Sequence, residues 1–401
     1  MTSLESTLSN IEELTFEKKY ESIKNYLDSL AKPVGSLGTL EDWAIRLSVL
    51  QNTKKPNADK ATCLIFAADH GVAKDKSQGG ANCSAYPQAV TRKVLEGLDH
   101  GIAGASVLAK QNNVFLRVID MGLAITTNSE NNNTDNNTNT NTNAKEVWYG
   151  DVVRSSDYKI DGGTKNFCTS SAMTIDEMKQ CLLAGKQEVN RCLDNDNDDN
   201  KINVFTFGEV GIGNTTTSSA LIAALTGQSG TTVCGGGATT THTDDEEIIK
   251  NKISIVDQAM SFHDAALMKD NAELALQNVG GFEIAAMVGA MIEAANKNKC
   301  IIVDGFIVTV AAMIACLMSP ATCKSLLFAT KSTEKGQAIA LAAIEKIAKE
   351  NNIPLCIKPA LDMNLRMGEG TGAIAAVPLL RSAAAVICNM ATLNDVLNLN
   401  S

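Results

Sequence analysis

Residues 203–225 read NVFTFGEVGIGNTTTSSALIAAL: a short apolar run, then Gly208, Gly211 and Gly213, then Asn214, Thr215 and Thr216 ahead of an apolar helical stretch. The run reads as a strand. The glycines allow close backbone approach in a tight turn, and Asn and Thr are N-cap types that open a helix. The pattern recurs along the chain. ATCLIFAADHG (61–71), VFLRVIDMG (114–122), CIIVDGF (300–306) and IPLCIKPALDMN (353–364) each read as a strand ending in a polar or glycine-containing turn. Helical stretches such as TVAAMIACLM follow several of them. Apolar strands that run into helices predict an α/β fold, a parallel sheet with helices on both faces. In such a sheet a ligand lies beyond the carboxyl ends of the strands, where the tails DHG, DMG, GEVGIGN, DGF and DMN converge.

The ends of the chain read differently. The first 50 residues and the last 20 are helical in pattern and predict a smaller helical layer formed together. The organisation expected is an N-terminal helical part over 1–60, an α/β catalytic domain over 61–375, and a C-terminal helix over 376–401 that completes the small part. Two polar inserts interrupt the middle. NSENNNTDNNTNTNTN (128–143) has too little apolar surface to fold and predicts a disordered loop. DNDNDDN (194–200) resembles the start of a calcium loop, but Asp199 stands where Gly is needed and Phe205 where Glu is needed.

Composition narrows the function. A net charge of −10 argues against a nucleic-acid partner, which calls for a basic face. Backbone N–H groups can still bind a small anion locally. Eleven cysteines are scattered singly with no CxxC pair, which predicts reduced, buried thiols in a cytoplasmic protein. The N-terminus, with a capping-like Ser9/Asn10 start, lacks the order of a signal peptide, and the apolar run Phe306–Met318 is too short to span a bilayer. No membrane partner is expected. The four histidines, the lone His242 among them, share no metal-ligand spacing, so neither a metal nor a cofactor is expected.

Four loops could carry chemistry. The turn Gly211–Ile212–Gly213–Asn214–Thr215 could bind a phosphate at the positive end of the following helix, or be no more than a tight βα turn with its cap. Glu209, just before it, would face a sugar or base rather than the phosphate. The run Gly235–Gly236–Gly237, with Lys252 on the next helix, could form a second anion cradle or a flexible surface turn. Ser332 lies in ATKSTEKG (329–336), which is either a helix cap or a phosphate contact. In GEGTG (368–372) a single carboxylate, Glu369, is flanked by Gly368 and Gly370 at the start of a long apolar helix. That helix end favours the ionised form by about 0.3–1 kcal/mol, whereas burial raises the pKa above about 4.3. Glu369 therefore reads as a base. Arg366, three residues upstream, could hold it or meet an anionic substrate, and Gly368 could let a substrate approach the backbone. No GxSxG elbow, HExxH or Cys–His arrangement offers a covalent or metal route. Anion cradles with one carboxylate base suit transfer of a phosphorylated sugar.

Longer motifs point the same way. KPVGSLGTLEDWAIRLSVLQ (32–51), ADHGVA (68–73), SAYPQAVT (84–91), FGEVGIGNTTTSSALIAALTG (207–227), VGGFEIAAMVGAMIEAA (279–295), VDGFIVTVAAM (303–313) and LRMGEGTGAIAAVPLLRSAAAVICNMATL (365–393) cover nearly the whole chain apart from its inserts. In these segments the chain resembles the nicotinate-nucleotide–dimethylbenzimidazole phosphoribosyltransferases. The resemblance implies a Rossmann-like sheet, a homodimer, and phosphoribosyl transfer from nicotinate mononucleotide to 5,6-dimethylbenzimidazole. It also implies Glu369 as general base and Glu209 as the second active-site carboxylate. Phosphate contacts would fall on Gly211–Thr215, Gly235–Gly237, Lys252 and Ser332, and the acceptor-base pocket on Tyr86, Pro87 and Val94. Tyr86 departs from family members that carry a small hydroxyl residue before the Pro, which narrows the pocket. Transfer to another acceptor (adenine, another benzimidazole or a phenol) is one alternative. A nucleotide-binding regulator without turnover is the other.

Overall fold

The computed structural model describes residues 15–74, 76–81, 83–123, 153–155, 157–194, 201–235 and 244–399, with backbone alone for 78, 153–155, 244 and 245. The Ser9/Asn10 start, the tract at 128–143, residues 195–200 of the acidic loop, Gly236, Gly237 and His242 lie outside the described residues.

The chain opens with α1 (Phe16–Asp28), α2 (Thr39–Gln51), β1 (Ala61–Ala68), α3 (Val90–Asp99) and α4 (Gly104–Gln111). It continues through β2 (Val114–Gly122), β3 (Val153–Ser155), α5 (Ile175–Asp194), β4 (Val204–Val210) and α6 (Asn214–Thr226). Then come α7 (Gly230–Val233), α8 (Asp244–Phe262), α9 (Ala265–Met268), α10 (Ala272–Val279) and α11 (Phe282–Asn296). The last part is β5 (Cys300–Val303), α12 (Phe306–Met318), β6 (Leu326–Phe328), α13 (Gly336–Glu350), α14 (Thr371–Asn389) and α15 (Leu393–Leu397).

Among the described residues six strands form one sheet in the order β3-β2-β1-β4-β5-β6, and every pairing in it is parallel. The chain builds outward from β1 to one edge, then returns to β4 and builds to the other. The order therefore reverses between β1 and β4, and a crevice opens there at the carboxyl ends of the strands. Ala61 is level with both Val114 and Val204, so these three central strands start in register.

Helices cover both faces. In β1 every residue is buried, and alternate side chains enter opposite cores: Leu64, Phe66 and Ala68 on one side, Cys63, Ile65 and Ala67 on the other. The first core also takes α5, α6, α11 and α12, and the second takes α1, α2 and α14. The terminal helices thus pack on the sheet as well as on each other. Ala31 N–H donates to Ala391 O at 2.9 Å, and Leu393 N–H to Ser29 O at 3.1 Å. By length and composition α14 could cross a bilayer, but over half of its most apolar window is buried here.

The expected strand at 353–364 is a correction. That segment forms no strand and meets the sheet near its end, where Thr330 and Leu361 form an isolated parallel bridge. Pro354 and Pro359 lack the N–H a ladder requires. Two short edge strands, β3 and β6, complete the sheet instead, each three residues long and too brief to show a pattern. The opening of α6 also differs. Its N-cap is Gly213 at φ 103°, with no side-chain cap, and Asn214 is already helical.

Candidate active site

The crevice at the switch point is a cleft. Lining it are Val94 from α3, Glu209 through Ile212 with Asn214 and Thr215 around the end of β4, and Asp304 after β5. Thr330 and Ser332 to Glu334 line it beyond β6, with Leu365 to Glu369 and Thr371 around the start of α14.

Glu369 occupies the left-handed region at φ 59°, between Gly368 at 77° and Gly370 at 74°. Few non-glycine residues stand there. The flanking glycines are required by their neighbours: a Cβ on Gly368 would lie 2.7 Å from Glu209 Oε1, and one on Gly370 would lie 3.0 Å from Phe207 O and 3.1 Å from Cys63 Sγ. The turn is thus seated against β1 and β4 with the two glutamates side by side. Glu369 Oε2 accepts from the Ala105 N–H at 3.3 Å. That donor belongs to the first turn of α4, so the helix end that meets the carboxylate is α4, not the α14 that follows in sequence. Burial pushes the Glu369 carboxyl up from its ordinary value, and the Ala105 N–H pulls it back.

Glu209 is deeper. Burial raises its carboxyl well above the usual range, and the nearby charges of Asp304, Glu283 and Glu369 raise it further. The Asn214 amide donates to Glu209 Oε2 and opposes the rise. This is what the supposed N-cap residue Asn214 does. Asp304 is pushed up to about 6 by burial, against hydrogen bonds from Ala373, Gly305 and Gly372 N–H and the Thr330 hydroxyl. Three buried carboxylates therefore crowd one wall, each made more basic by desolvation and each able to receive a proton or face a cation.

The expected anion contacts come together in part. Lys252, 4% exposed, donates to Thr215 Oγ1 at 3.1 Å and to Gly235 O at 3.5 Å, which joins α8, the start of α6 and the glycine run. Ser332 lines the cleft and accepts from the Glu334 N–H. Ile212 lines it too, but its N–H is taken by Thr91 Oγ1 at 3.2 Å. Gly211 and Gly213 serve packing: a Cβ on Gly211 would meet Ala68 O at 2.6 Å, and one on Gly213 would meet the Ala73 side chain at 2.8 Å. Arg366 is exposed at the rim and forms no ion pair with Glu369 among the described residues. Val94 lines the cleft, whereas Tyr86, 45% exposed, and Pro87 stand outside its lining. Among the described residues no cluster of His, Cys, Asp or Glu is arranged to hold a metal ion.

Sequence reasoning passed over Asp304, visible only as the polar tail of CIIVDGF. It also passed over a fully buried pair behind the Gly211–Gly213 turn: His70 Nε2 lies 2.8 Å from Glu283 Oε1, and His70 Nδ1 2.9 Å from Thr217 Oγ1. Glu283 at the start of an apolar helix looks like an ordinary first-turn acid.

A parallel doubly wound sheet with buried carboxylates gathered in a cleft at the strand ends has the architecture of an α/β enzyme. The phosphoribosyltransferase family profile matches residues 14–396. Nicotinate-nucleotide–dimethylbenzimidazole phosphoribosyltransferases are the relatives: that of Ectopseudomonas mendocina (strain ymp) is 36% identical over 363 residues, 90% of this chain and 89% of its own. That of Pseudomonas fluorescens (strain SBW25) is 35% identical over 373 residues, 93% and 92%. The crystal structure of CobT from Thermus thermophilus superposes with a TM-score of 0.77 at 29% identity, over 96% of this chain and 100% of that one. The chain belongs to the nicotinate-nucleotide–dimethylbenzimidazole phosphoribosyltransferase family and is a transferase, as its motifs implied.

Proposed function

We propose that the cleft transfers the phosphoribosyl group of nicotinate mononucleotide to 5,6-dimethylbenzimidazole, giving α-ribazole 5′-phosphate and nicotinate, with Glu369 as general base. The observation that carries this reading is Glu209 beside the Glu369 turn in one buried cleft. The donor's glycosidic nitrogen is a pyridinium, and a carboxylate wall attracts such a cation. When the C1′–N bond breaks, its electron pair leaves the nicotinate nitrogen neutral, so the leaving group requires no acid. One imidazole nitrogen of the acceptor attacks C1′, and the other gives its proton to Glu369. Attack from the face opposite nicotinate turns the β-linkage into α. A base of this kind contributes about 10²–10⁴-fold, and holding two reactants in line provides much of the rest.

The remaining assignments belong to the same reading. Thr215, Lys252, Ser332 and the Gly211–Gly213 and Gly235–Gly237 loops would enclose the phosphate, with Arg366 at the rim. Glu209, held by Asn214, would face the ribose. A cytoplasmic homodimer, with the terminal helices as a smaller unit, completes it.

Glu369→Gln should fold normally and lose about 10²–10⁴-fold in acceptor-dependent nicotinate release. Wild-type release by that variant would remove Glu369 from the mechanism. A second acceptor is supported by one observation: Tyr86 and Pro87 stand outside the cleft lining and do not close its acceptor end. Dimethylbenzimidazole, benzimidazole, adenine and phenol offered in parallel, with products weighed by mass spectrometry, would settle the acceptor. A product mass shift only with adenine or phenol would overturn the benzimidazole assignment.

A further inference from the structure

Asp304 takes no part in the proton transfer described above, yet it sits where the cleft's parts join. It follows β5 directly. Its Oδ1 accepts from the Ala373 N–H at 3.0 Å and the Thr330 hydroxyl at 3.5 Å, and the Gly305 and Gly372 N–H groups also donate to its carboxylate. Gly372 and Ala373 lie in the first turn of α14, whose N-cap, Gly370, offers no side-chain hydrogen bond. The exposed N–H groups that begin every helix are here satisfied from a different strand. Gly372 is bare for the same reason: a Cβ there would lie 2.5 Å from Asp304 Oδ1 and 2.4 Å from Thr330 Cγ2.

The Gly368–Glu369–Gly370 turn runs straight into that first helical turn. On its other side it rests on β4, where a Cβ on Gly208 would meet the Glu369 carbonyl carbon at 2.5 Å. Among the described residues the Glu369 carboxylate has one backbone donor, Ala105 N–H. Its direction is therefore set by the turn beneath it, and the turn is fixed between β4 and α14. Charged and titratable neighbours of Asp304 are Glu209 on β4 and the Cys63 thiol on β1.

We propose that Asp304 is the positioning residue for Glu369: by capping α14 from the end of β5 it fixes the turn that carries the base. This rests on the assignment of Glu369 as base. What the cap requires is an acceptor oxygen, which Asn also provides, whereas a proton carrier would require the acid itself.

The test measures kcat, the KM for nicotinate mononucleotide and the pH profile of wild type, Asp304→Asn, Asp304→Ala and Gly372→Ala. Amide exchange across residues 371–374 is followed without substrate. Asp304→Ala should lose on the order of 10²-fold in kcat, the scale of a base displaced by about 1 Å, with KM altered by less than about threefold. Asp304→Asn should stay within about tenfold of wild type and keep the acid limb, which belongs to Glu369. Exchange at 371–374 should quicken by about 2- to 30-fold in Asp304→Ala. Gly372→Ala, which drives a methyl group into the same contact, should lose kcat likewise and is decisive where the Asp304→Ala protein fails to fold. Asp304→Asn as impaired as Asp304→Ala, with its acid limb gone, would overturn the proposal in favour of a proton-carrying role. Wild-type kcat in Asp304→Ala or Gly372→Ala would overturn it outright. No transfer by wild type to any acceptor would instead sink the reaction reading; exchange would then judge the cap, and unchanged rates would refute it.

Discussion

Glu369 holds a backbone conformation that costs an ordinary L-residue about 1–2 kcal/mol. That strain separates stability from function. Glu369→Gly should be more stable than Glu369→Ala by about 1 kcal/mol in urea unfolding, since only Ala retains the strained Cβ, and both should lose transfer. A more stable Ala variant would show that the left-handed turn is not strained. Asp304 offers a second measurement. Its pKa is raised by burial from 3.8 to about 6, so the folded chain holds a proton that the unfolded chain has released between those values. Stability therefore falls as pH rises from about 4 to about 6, by about 3 kcal/mol from this group, and is level on either side. Asp304→Asn should remove that part of the slope, while Glu209 and Glu369, raised in the same sense, retain theirs. An unchanged slope would show that the proton resides elsewhere. At this scale the sequence was legible where a motif forces geometry. GEGTG and GEVGIGN marked Glu369 and Glu209 by their flanking glycines, and both residues line the cleft. Asp304 and Glu283 escaped notice because their partners, α14 and His70, are distant in the chain. Asn214 was misjudged because its amide prefers a buried carboxylate to its own helix.

The elements pack closely because the chain is rich in small residues, and α5 against α11 is the clearest case. A Cβ on Gly185 would come within 1.8 Å of Ala286 O, and one on Gly289 within 2.0 Å of Leu182 O. Each glycine admits the other helix's backbone. Neither contact can be relieved by a side-chain rotation, so Gly185→Ala should lower the unfolding free energy by about 1–3 kcal/mol, despite about 1 kcal/mol of gained helix propensity. A midpoint equal to or above that of wild type would mean the helices can separate at no cost. The central strands and long helices were readable from apolar runs that change period at a glycine turn. The sheet's edges were not. β3 and β6 are too short to carry a pattern, and the segment at 353–364 carries a strand's side chains on a backbone that two prolines bar from the ladder. Hydrophobicity reports burial, whereas pairing depends on N–H donors, and at that edge the two diverge.

Across the whole molecule, α14 links the Glu369 turn to both chain ends. It begins at Thr371, crosses the sheet face, and through Arg381 donates to the carbonyl oxygens of Ala58, Asp59, Asn112 and Asn113, ahead of β1 and β2. The terminal helices share one core with Cys63, Ile65 and Ala67 of β1, so they have no separate interior to melt. Unfolding should therefore be a single transition. Trp43, fully buried in α2, reports on the terminal layer once Trp148 is replaced by Phe, while far-UV circular dichroism reports on the whole chain. The two signals should share one urea midpoint, and Arg381→Ala should lower both together by removing charge-assisted bonds worth about 2–4 kcal/mol in all. Were Trp43 to unfold at lower urea than the bulk signal, the terminal helices would be an independent domain. In that case Arg381→Ala would shift the Trp43 transition alone, and the turn that carries Glu369 would owe its position to the sheet and not to the chain ends.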